Sequence, residues 1–298
     1  MVDLKNINNV ILFGPYLHQH PNGLLFYGLF RAFIYKRFKN VLWINQEKIN
    51  LLNNYNLSNS IFITDDIHDD NIPLRDDCYY LLFNNKKSKY NPYFHLYFNI
   101  YSNNLPIYVQ PWKNKYYIQY SLEHKEVYFP WATELLPEEI LILQEDNTQV
   151  ETNTFCILGD ISNELYGNLK KFIKKYYYNF EVVNSYNNNN KFEKINRQLG
   201  ICLSTNDEIT NDNINHNVMR IISYGGFPIS NSELTLNLFD RMCSYYINNN
   251  SEKIVTNSIN KFHQVFNKYC RWSLMDDVKE HHTFVQRVEI LLWMLLRL

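Results

Sequence analysis

The stretch RIISYGGFPISNSE (220–233) brings together residue types that could hold a phosphorylated ligand. An apolar run, NVMRIISY (217–224), has the look of a buried helix and ends on Gly225, a residue able to take the left-handed conformation that closes a helix. Gly226 lets the chain turn into a short strand, FPIS, and Ser230, Asn231 and Ser232 follow at its carboxyl end. Ser232 suits the N-cap of a helix beginning near Glu233. In open parallel sheets ligands bind outside the carboxyl ends of strands, often against a helix N-terminus whose amides suit a diphosphate. Ordinary packing of an α/β crossover would use the same glycines and the same cap, so at this level both readings stand.

A second group lies in GPYLHQHPNG (14–23), the loop after the first apolar run. His18 or His20 could take a proton from an acceptor hydroxyl, since imidazole titrates near neutral pH; nothing in the spacing chooses between them. A third is TDDIHDDNIPLRDD (64–77). Its carboxylates offer adjacent pairs and gaps of two but no D-x-D that would hold a divalent ion on a diphosphate, and it reads as a solvated loop. Gly159 and Asp160, at the end of the run TFCILGD (154–160), are further candidates for contacts to a donor; Lys170 and Lys171 read as the wet face of a helix. The His281–His282 pair reads as helix entry rather than a metal site. Neither G-x-x-x-x-G-K-[ST], G-x-G-x-x-G nor G-x-S-x-G occurs, which weighs against NTPase, dinucleotide-oxidoreductase and serine-hydrolase chemistry.

The elements that must position these residues follow one grammar. NNVILFG (8–14) reads as a buried parallel strand, LLFYGLFRAFIYKRF (24–38) as a helix and NVLWIN (40–45) as a second strand. Further strands are expected at 60–64, 78–84, 105–109 and 126–132. The polar stretch LQEDNTQVETN (143–153) separates two halves, giving domains at 1–145 and 146–298. The second half repeats the grammar: strands at 154–160, 180–184 and 201–205, helices at 165–178 and 191–200, then the segment from 217, and a helical end broken at Met275–Asp277. Two such halves predict an α/β protein of two doubly wound parallel-sheet domains facing each other.

Composition narrows the function classes. The chain has 298 residues and a formal net charge of -1, without the basic excess of a nucleic-acid footprint. Its longest apolar run, ILLWMLLRL (290–298), is too short to span a bilayer, and no secretory signal is read at the N-terminus. Five scattered cysteines, with no C-x-x-C pair, suggest reduced thiols and a cytoplasmic location. Asparagine runs and the abundance of Asn, Ile, Lys, Tyr and Phe are what an AT-rich genome imposes.

The segment RIISYGGFPISNSE resembles the C-terminal-domain signature of GT-B glycosyltransferases, and HHTFVQRVEILLWML (281–295) resembles the last helix of the spore-maturation-type members, where H-T-[FY]-x-x-R precedes an apolar helix. VYFPWATELLPEEI (127–140) and ILGD (157–160) sit where such enzymes end their first domain and begin their second. The resemblance implies a GT-B-like fold of two Rossmann-type domains facing a cleft, with an acceptor side in the first domain, a donor side in the second, and the last helix packing back on the first. It implies metal-independent, cofactor-free transfer of a sugar from a nucleotide-diphosphate donor to a glycan or other hydroxyl acceptor. Gly225, Gly226 and the amides of Ser230, Asn231 and Ser232 would then lie near the diphosphate, with Gly159 on the donor side, and Glu233 would hold the ribose or sugar. Arg220 stands where many retaining members carry an acidic residue; it could contact the diphosphate instead, and its presence also admits a catalytically inactive domain that binds a glycan, nucleotide or protein.

Overall fold

The computed structural model describes residues 4–17, 22–100, 106, 108, 110–111, 118–145, 154–158, 163–183, 199–202, 216–230, 232–245 and 250–298. The chain divides into two compact units: one comprises Met1–Tyr101, Leu105–Pro130 and Phe284–Leu298, the other Ser102–Asn104 and Trp131–Thr283. The class is α/β, with mostly parallel sheets.

The sheet of the first unit is built from β1 (Asn9–Phe13), β2 (Val41–Ile44), β3 (Ser60–Asp65), β4 (Tyr79–Phe83), β5 (Phe94–Ile100), β6 (Gln110–Pro111), β7 (Gln119–Ser121) and β8 (Glu126–Phe129). Among the described residues its order is β2-β1-β3-β4-β5-β8-β7-β6. Neighbours from β2 to β8 are parallel, while β7 and β6 add antiparallel pairs at one edge. Every residue of β1 and of β3 is buried, so both faces of the sheet centre are covered; this is why these segments read as unbroken apolar runs rather than alternating ones.

Helix α1 (Gly23–Tyr35) packs against the last helix, Phe284–Arg297. Gly28 makes that approach possible: a Cβ there would lie 1.9 Å from Cδ2 of Phe284. Arg287, fully buried, donates from Nε to the carbonyl of Pro130 at 2.9 Å and lies over the Phe129 ring at 5.5 Å. Burial lowers its pKa to about 9. The Phe and Arg of the H-T-F-x-x-R stretch therefore seat the C-terminal helix in the first unit.

The first unit departs from a doubly wound pattern in one respect. The links after β2, β3 and β4 pass through 3-10 turns at Gln46–Asn54, Asp69–Asn71 and Ser88–Tyr90, where alternating strands and α-helices were expected. These links carry clusters of Asn, Asp and Pro, residues that favour turns over helix interiors. They cover an apolar layer that includes Ile11, Phe13, Phe62, Tyr80 and Leu82. Strand β5 is absent from the sequence reading, because His95 and Asn99 interrupt its apolar run; the structure buries His95 and turns its Nδ1 to the carbonyl of Tyr93 at 2.8 Å.

The second unit holds β9 (Thr154–Leu158), β10 (Asn179–Val183), β11 (Leu199–Cys202), β12 (Phe227–Ser230) and β13 (Ser244–Tyr245). Among the described residues all neighbours are parallel, in the order β10-β9-β11-β12-β13, which counts along the chain as second, first, third, fourth, fifth. The direction of winding reverses between β9 and β11, the place where sheets of this type open a crevice at their carboxyl edge. Among the described residues its helices are α2 (Pro137–Glu145), α3 (Asn163–Lys175), α4 (His216–Ser223), α5 (Glu233–Leu238), α6 (Ser251–Val265) and α7 (Lys268–His281). The main span of the unit is Trp131–Thr283, so α2 belongs to it, whereas the sequence reading ran the first domain to 145. The helical end breaks at Phe266–Asn267 and not at Met275–Asp277: Asn267 caps α7, its Oδ1 accepting from the amides of Tyr269 and Cys270, both at 2.9 Å.

Candidate functional site

The two glycines of the GGFPISNSE segment close a helix. Gly225 has φ of 78°. Its amide donates to the carbonyl of Ile222, and that of Gly226 to the carbonyl of Ile221, both at 2.8 Å. This pair of bonds is the Schellman arrangement that satisfies the last carbonyls of a helix. Both amides are therefore occupied, and both glycines lie before β12, at the amino edge of the sheet. Ser230 to Glu233 lie at the other end of the same strand. At about 3.3 Å per residue the two groups are roughly 16 Å apart. One diphosphate cannot be cradled by Gly225 and Gly226 together with Ser230 to Ser232, as the sequence reading had it; the glycines close the helix at the amino edge.

That carboxyl end is compact and polar. Ser230 and Ser232 are buried. The Ser230 hydroxyl accepts from the Ser232 amide at 3.1 Å and donates to Thr235 Oγ1 at 3.3 Å. Ser232 stands at the N-cap of α5 with extended backbone, and its carbonyl accepts from the Thr235 amide at 3.1 Å. Its own hydroxyl is buried and has no hydrogen-bond partner among the described residues. Glu233, the first residue of α5, is exposed. A carboxylate here can accept two hydroxyls of a ribose or sugar ring, and the Ser232 hydroxyl has one donor to offer.

Arg220 does not point at a ligand surface. It is 2% exposed and pairs with Glu134, itself 4% exposed, with Nη2 at 2.7 Å and Nε at 2.8 Å from Oε1. The pair fastens α4 to the segment that opens the second unit. The same segment is held by a Thr133–Ser223 hydroxyl bond at 3.0 Å and by the Thr133 amide, which donates to the carbonyl of His282 at 2.9 Å. His216, at the start of α4, stacks obliquely near Trp131 with ring centres 5.4 Å apart. Burial, reinforced by the Arg220 charge, brings its pKa down to about 3, so the ring is neutral at physiological pH. Arg220 thus fills a structural position in place of the diphosphate contact expected of it.

At the carboxyl edge of the first unit the acidic stretch is exposed at Asp66, Asp70, Asp76 and Asp77, as a solvated loop would be, but two of its carboxylates turn inward. Asp65 and Asp69 are both fully buried. Asp65 ends β3; its Oδ1 accepts from the amides of Ile67 and His68 at 3.2 and 2.8 Å and meets Nδ1 of His68 at 2.7 Å. Its Oδ2 accepts from Asn22 at 3.1 Å, which ties the start of α1, where the His18 and His20 loop ends, to the end of β3. Asp69 accepts from Lys87 at 2.6 Å, Asn85 at 2.8 Å, Lys89 at 3.0 Å and Tyr90 at 3.3 Å. Burial works against its charge, but the hydrogen bonds from Lys87, Asn85 and Lys89 outweigh it and hold the carboxyl below its ordinary range. Here β1 and β3 are neighbours on either side of a winding reversal, as β9 and β11 are in the second unit. His68, partly exposed and oriented by a buried aspartate, is the residue the sequence reading passed over. Its signal was a histidine three positions after a strand-ending Asp, hidden among five other carboxylates in 64–77.

His18, His20, Gly159, Asp160 and Asn231 lie outside the described residues. Lys170 and Lys171 are exposed on α3, where they lie over the rings of Tyr166 and Phe172. His281 ends α7 and His282, fully buried, faces the ring of Phe239 with centres 5.9 Å apart. Among the described residues no group of three or more His, Cys, Asp or Glu could hold a metal ion, and no helix is long and apolar enough to cross a membrane.

No protein-family model matches the chain. No curated protein matches it. Among solved structures it is similar to the C-terminal domain of glucosamine-fructose-6-phosphate aminotransferase from Francisella tularensis, at 11% sequence identity over 92% of this chain and 84% of that one, with a TM-score of 0.23. At that score the likeness carries no argument about fold or chemistry.

Proposed function

We propose that the chain is a GT-B-like glycosyltransferase that holds a nucleotide-diphosphate sugar on its second unit and passes the sugar to a hydroxyl acceptor. The observation that carries this reading is the position of Glu233: an exposed carboxylate in the first turn after β12, beside Ser232, whose hydroxyl has no partner among the described residues, at the carboxyl edge of a parallel sheet whose winding reverses. It is further supported by the resemblance of this segment and of the last helix to that family. In the reaction the acceptor oxygen loses its proton to an imidazole and bonds to the anomeric carbon. The bond from that carbon to the phosphate oxygen breaks, and the nucleoside diphosphate leaves with the bonding pair. His18, His20 and His68 are the candidates for the base; the His68 ring is oriented through its Nδ1 by Asp65.

A second reading has its own support. The helix preceding the glycine turn supplies no acid: Arg220 stands there, and its charge is neutralised by Glu134. A domain that binds a nucleotide sugar or glycan without turning it over fits that feature.

Calorimetry with UDP, GDP, ADP, CDP and dTDP and their sugar conjugates tests both. One nucleotide diphosphate should bind selectively, and Glu233→Ala should weaken it. Turnover on an acceptor panel separates enzyme from binding domain. Failure of every nucleotide to bind would remove the donor site from the second unit.

A further inference from the structure

The first unit contains a cavity of about 250 Å³ that the transfer reading does not use. It is lined by the turn after β4, Asn84 to Lys86, and by residues of β5 and β8. The register pairs Tyr97 with Glu126 and Asn99 with Tyr128. Side chains of paired residues in a sheet share a face, so these four project from one side of it.

The polar groups converge on Glu126, whose side chain is 6% exposed. One carboxylate oxygen accepts from the Lys86 ammonium, while the other accepts from the hydroxyls of Tyr108 at 3.0 Å and Tyr128 at 2.9 Å. Burial, and then the Glu126 hydrogen bond and charge, raise the pKa of both tyrosines, which keeps them protonated as donors. Asn99 donates to Asn84 at 3.2 Å, which leaves a second hydrogen on the same amide. An ionised carboxylate has about four lone-pair sites, and three are taken here.

Such a wall offers acceptors and donors in alternation, yet Lys86 and Glu126 cancel each other in charge. An anion would meet an ammonium already paired and a carboxylate that repels it. An apolar ligand would leave the amides and hydroxyls unsolvated, at a cost for each. A ring bearing neighbouring hydroxyls, each able to donate and accept, answers both requirements, and Tyr97 adds an aromatic surface for its C–H face. The volume lies just below the ~300 Å³ at which pockets for drug-sized ligands begin, which suits one ring and not two.

We infer that this cavity, walled by Lys86, Tyr97, Asn99, Glu126 and Tyr128, binds a single neutral sugar ring. The inference stands apart from the nucleotide reading and needs no donor.

The test uses the full chain with methyl glycosides of glucose, galactose, mannose and N-acetylglucosamine as probes, read by saturation-transfer NMR and calorimetry, with inorganic phosphate as competitor. At least one glycoside should bind saturably and resist displacement by phosphate. Glu126→Gln and Asn99→Ala should each weaken it about tenfold, the equivalent of one good hydrogen bond. Lys86→Met, at the exposed rim, is a further variant that leaves Glu126 its Tyr108 and Tyr128 donors, and it should also weaken binding. Glu233→Ala, which addresses the nucleotide, should leave glycoside binding unchanged. The inference is overturned if no glycoside binds, if phosphate displaces them, or if folded Lys86→Met and Asn99→Ala proteins bind as the wild type does.

Discussion

Removing the Arg220 guanidinium separates a structural role from a ligand role. Arg220→Met keeps most of the aliphatic volume and deletes the charge. It takes the Arg220 guanidinium from Glu134, which is 4% exposed, in a segment already fixed to α4 through Thr133 and Ser223. Breaking one side of a buried ion pair costs about 3–5 kcal/mol, because the remaining charge stays desolvated. For a unit of this size that is a fall of roughly 10 °C in melting temperature. Glu134→Gln should destabilise to a similar degree. The double variant Arg220→Met/Glu134→Leu should recover most of the loss, because replacing a buried pair by apolar groups is often close to neutral. The assay is a double-mutant cycle by urea unfolding, followed by nucleotide calorimetry on whichever variants remain folded; these should bind as the wild type does. If Arg220→Met unfolds within ~0.5 kcal/mol of wild type and yet no longer binds nucleotide, Arg220 is a ligand contact and the structural argument is wrong.

Gly28→Ala places a methyl against the Phe284 ring and should destabilise the first unit by about 1–3 kcal/mol, with partial rescue by Phe284→Leu; unchanged unfolding would mean that the last helix does not pack there. Gly225→Ala forces a side chain into φ of 78° and should lower stability by about 1 kcal/mol without altering nucleotide affinity; a selective loss of affinity would return the glycine turn to the binding site. His216 carries a pH signature. Its pKa falls from the ordinary 6.5 to about 3 on folding, so the unfolded chain takes up the proton first. The stabilisation is complete above pH 6.5 and is lost as pH drops from there toward 3, amounting to about 2 kcal/mol by pH 5. His216→Gln should flatten the stability profile over that range, and an unchanged slope would show that the ring is solvated.

Much of the local structure was legible in the residues. Continuous apolar runs such as VILF and SIFIT mark strands buried on both faces, and the double glycine after NVMRIISY marks a helix end, because only glycine takes the left-handed φ at no steric cost. The α/β class followed from the alternation of such runs with helical spacing. Strand β5 escaped because a buried histidine and an asparagine broke its pattern, and burial of a polar side chain depends on a partner that the sequence does not name. The break in the C-terminal helices was misplaced because Asn267 as a cap resembles any other asparagine in a chain rich in them.

What only the tertiary structure decided is which of the chemistry-bearing residues meet. Residues adjacent in sequence can stand at opposite ends of a strand: Gly226 and Ser230 are four positions apart, yet one closes a helix at the amino edge while the other opens the carboxyl edge. Residues far apart can be locked together, as Glu134 and Arg220 are, or Lys86 and Glu126. A charge looks the same in a sequence whether it faces solvent, a ligand or a buried partner, and the difference lies in desolvation and distance, which arise only when strands pair and helices pack. The acidic stretch 64–77 is the clearest instance: its composition suggested a wet loop, and the fold buries two of its aspartates, Asp65 against Asn22, His68 and the amides that follow it, and Asp69 against lysines and an amide that arrive from the next link.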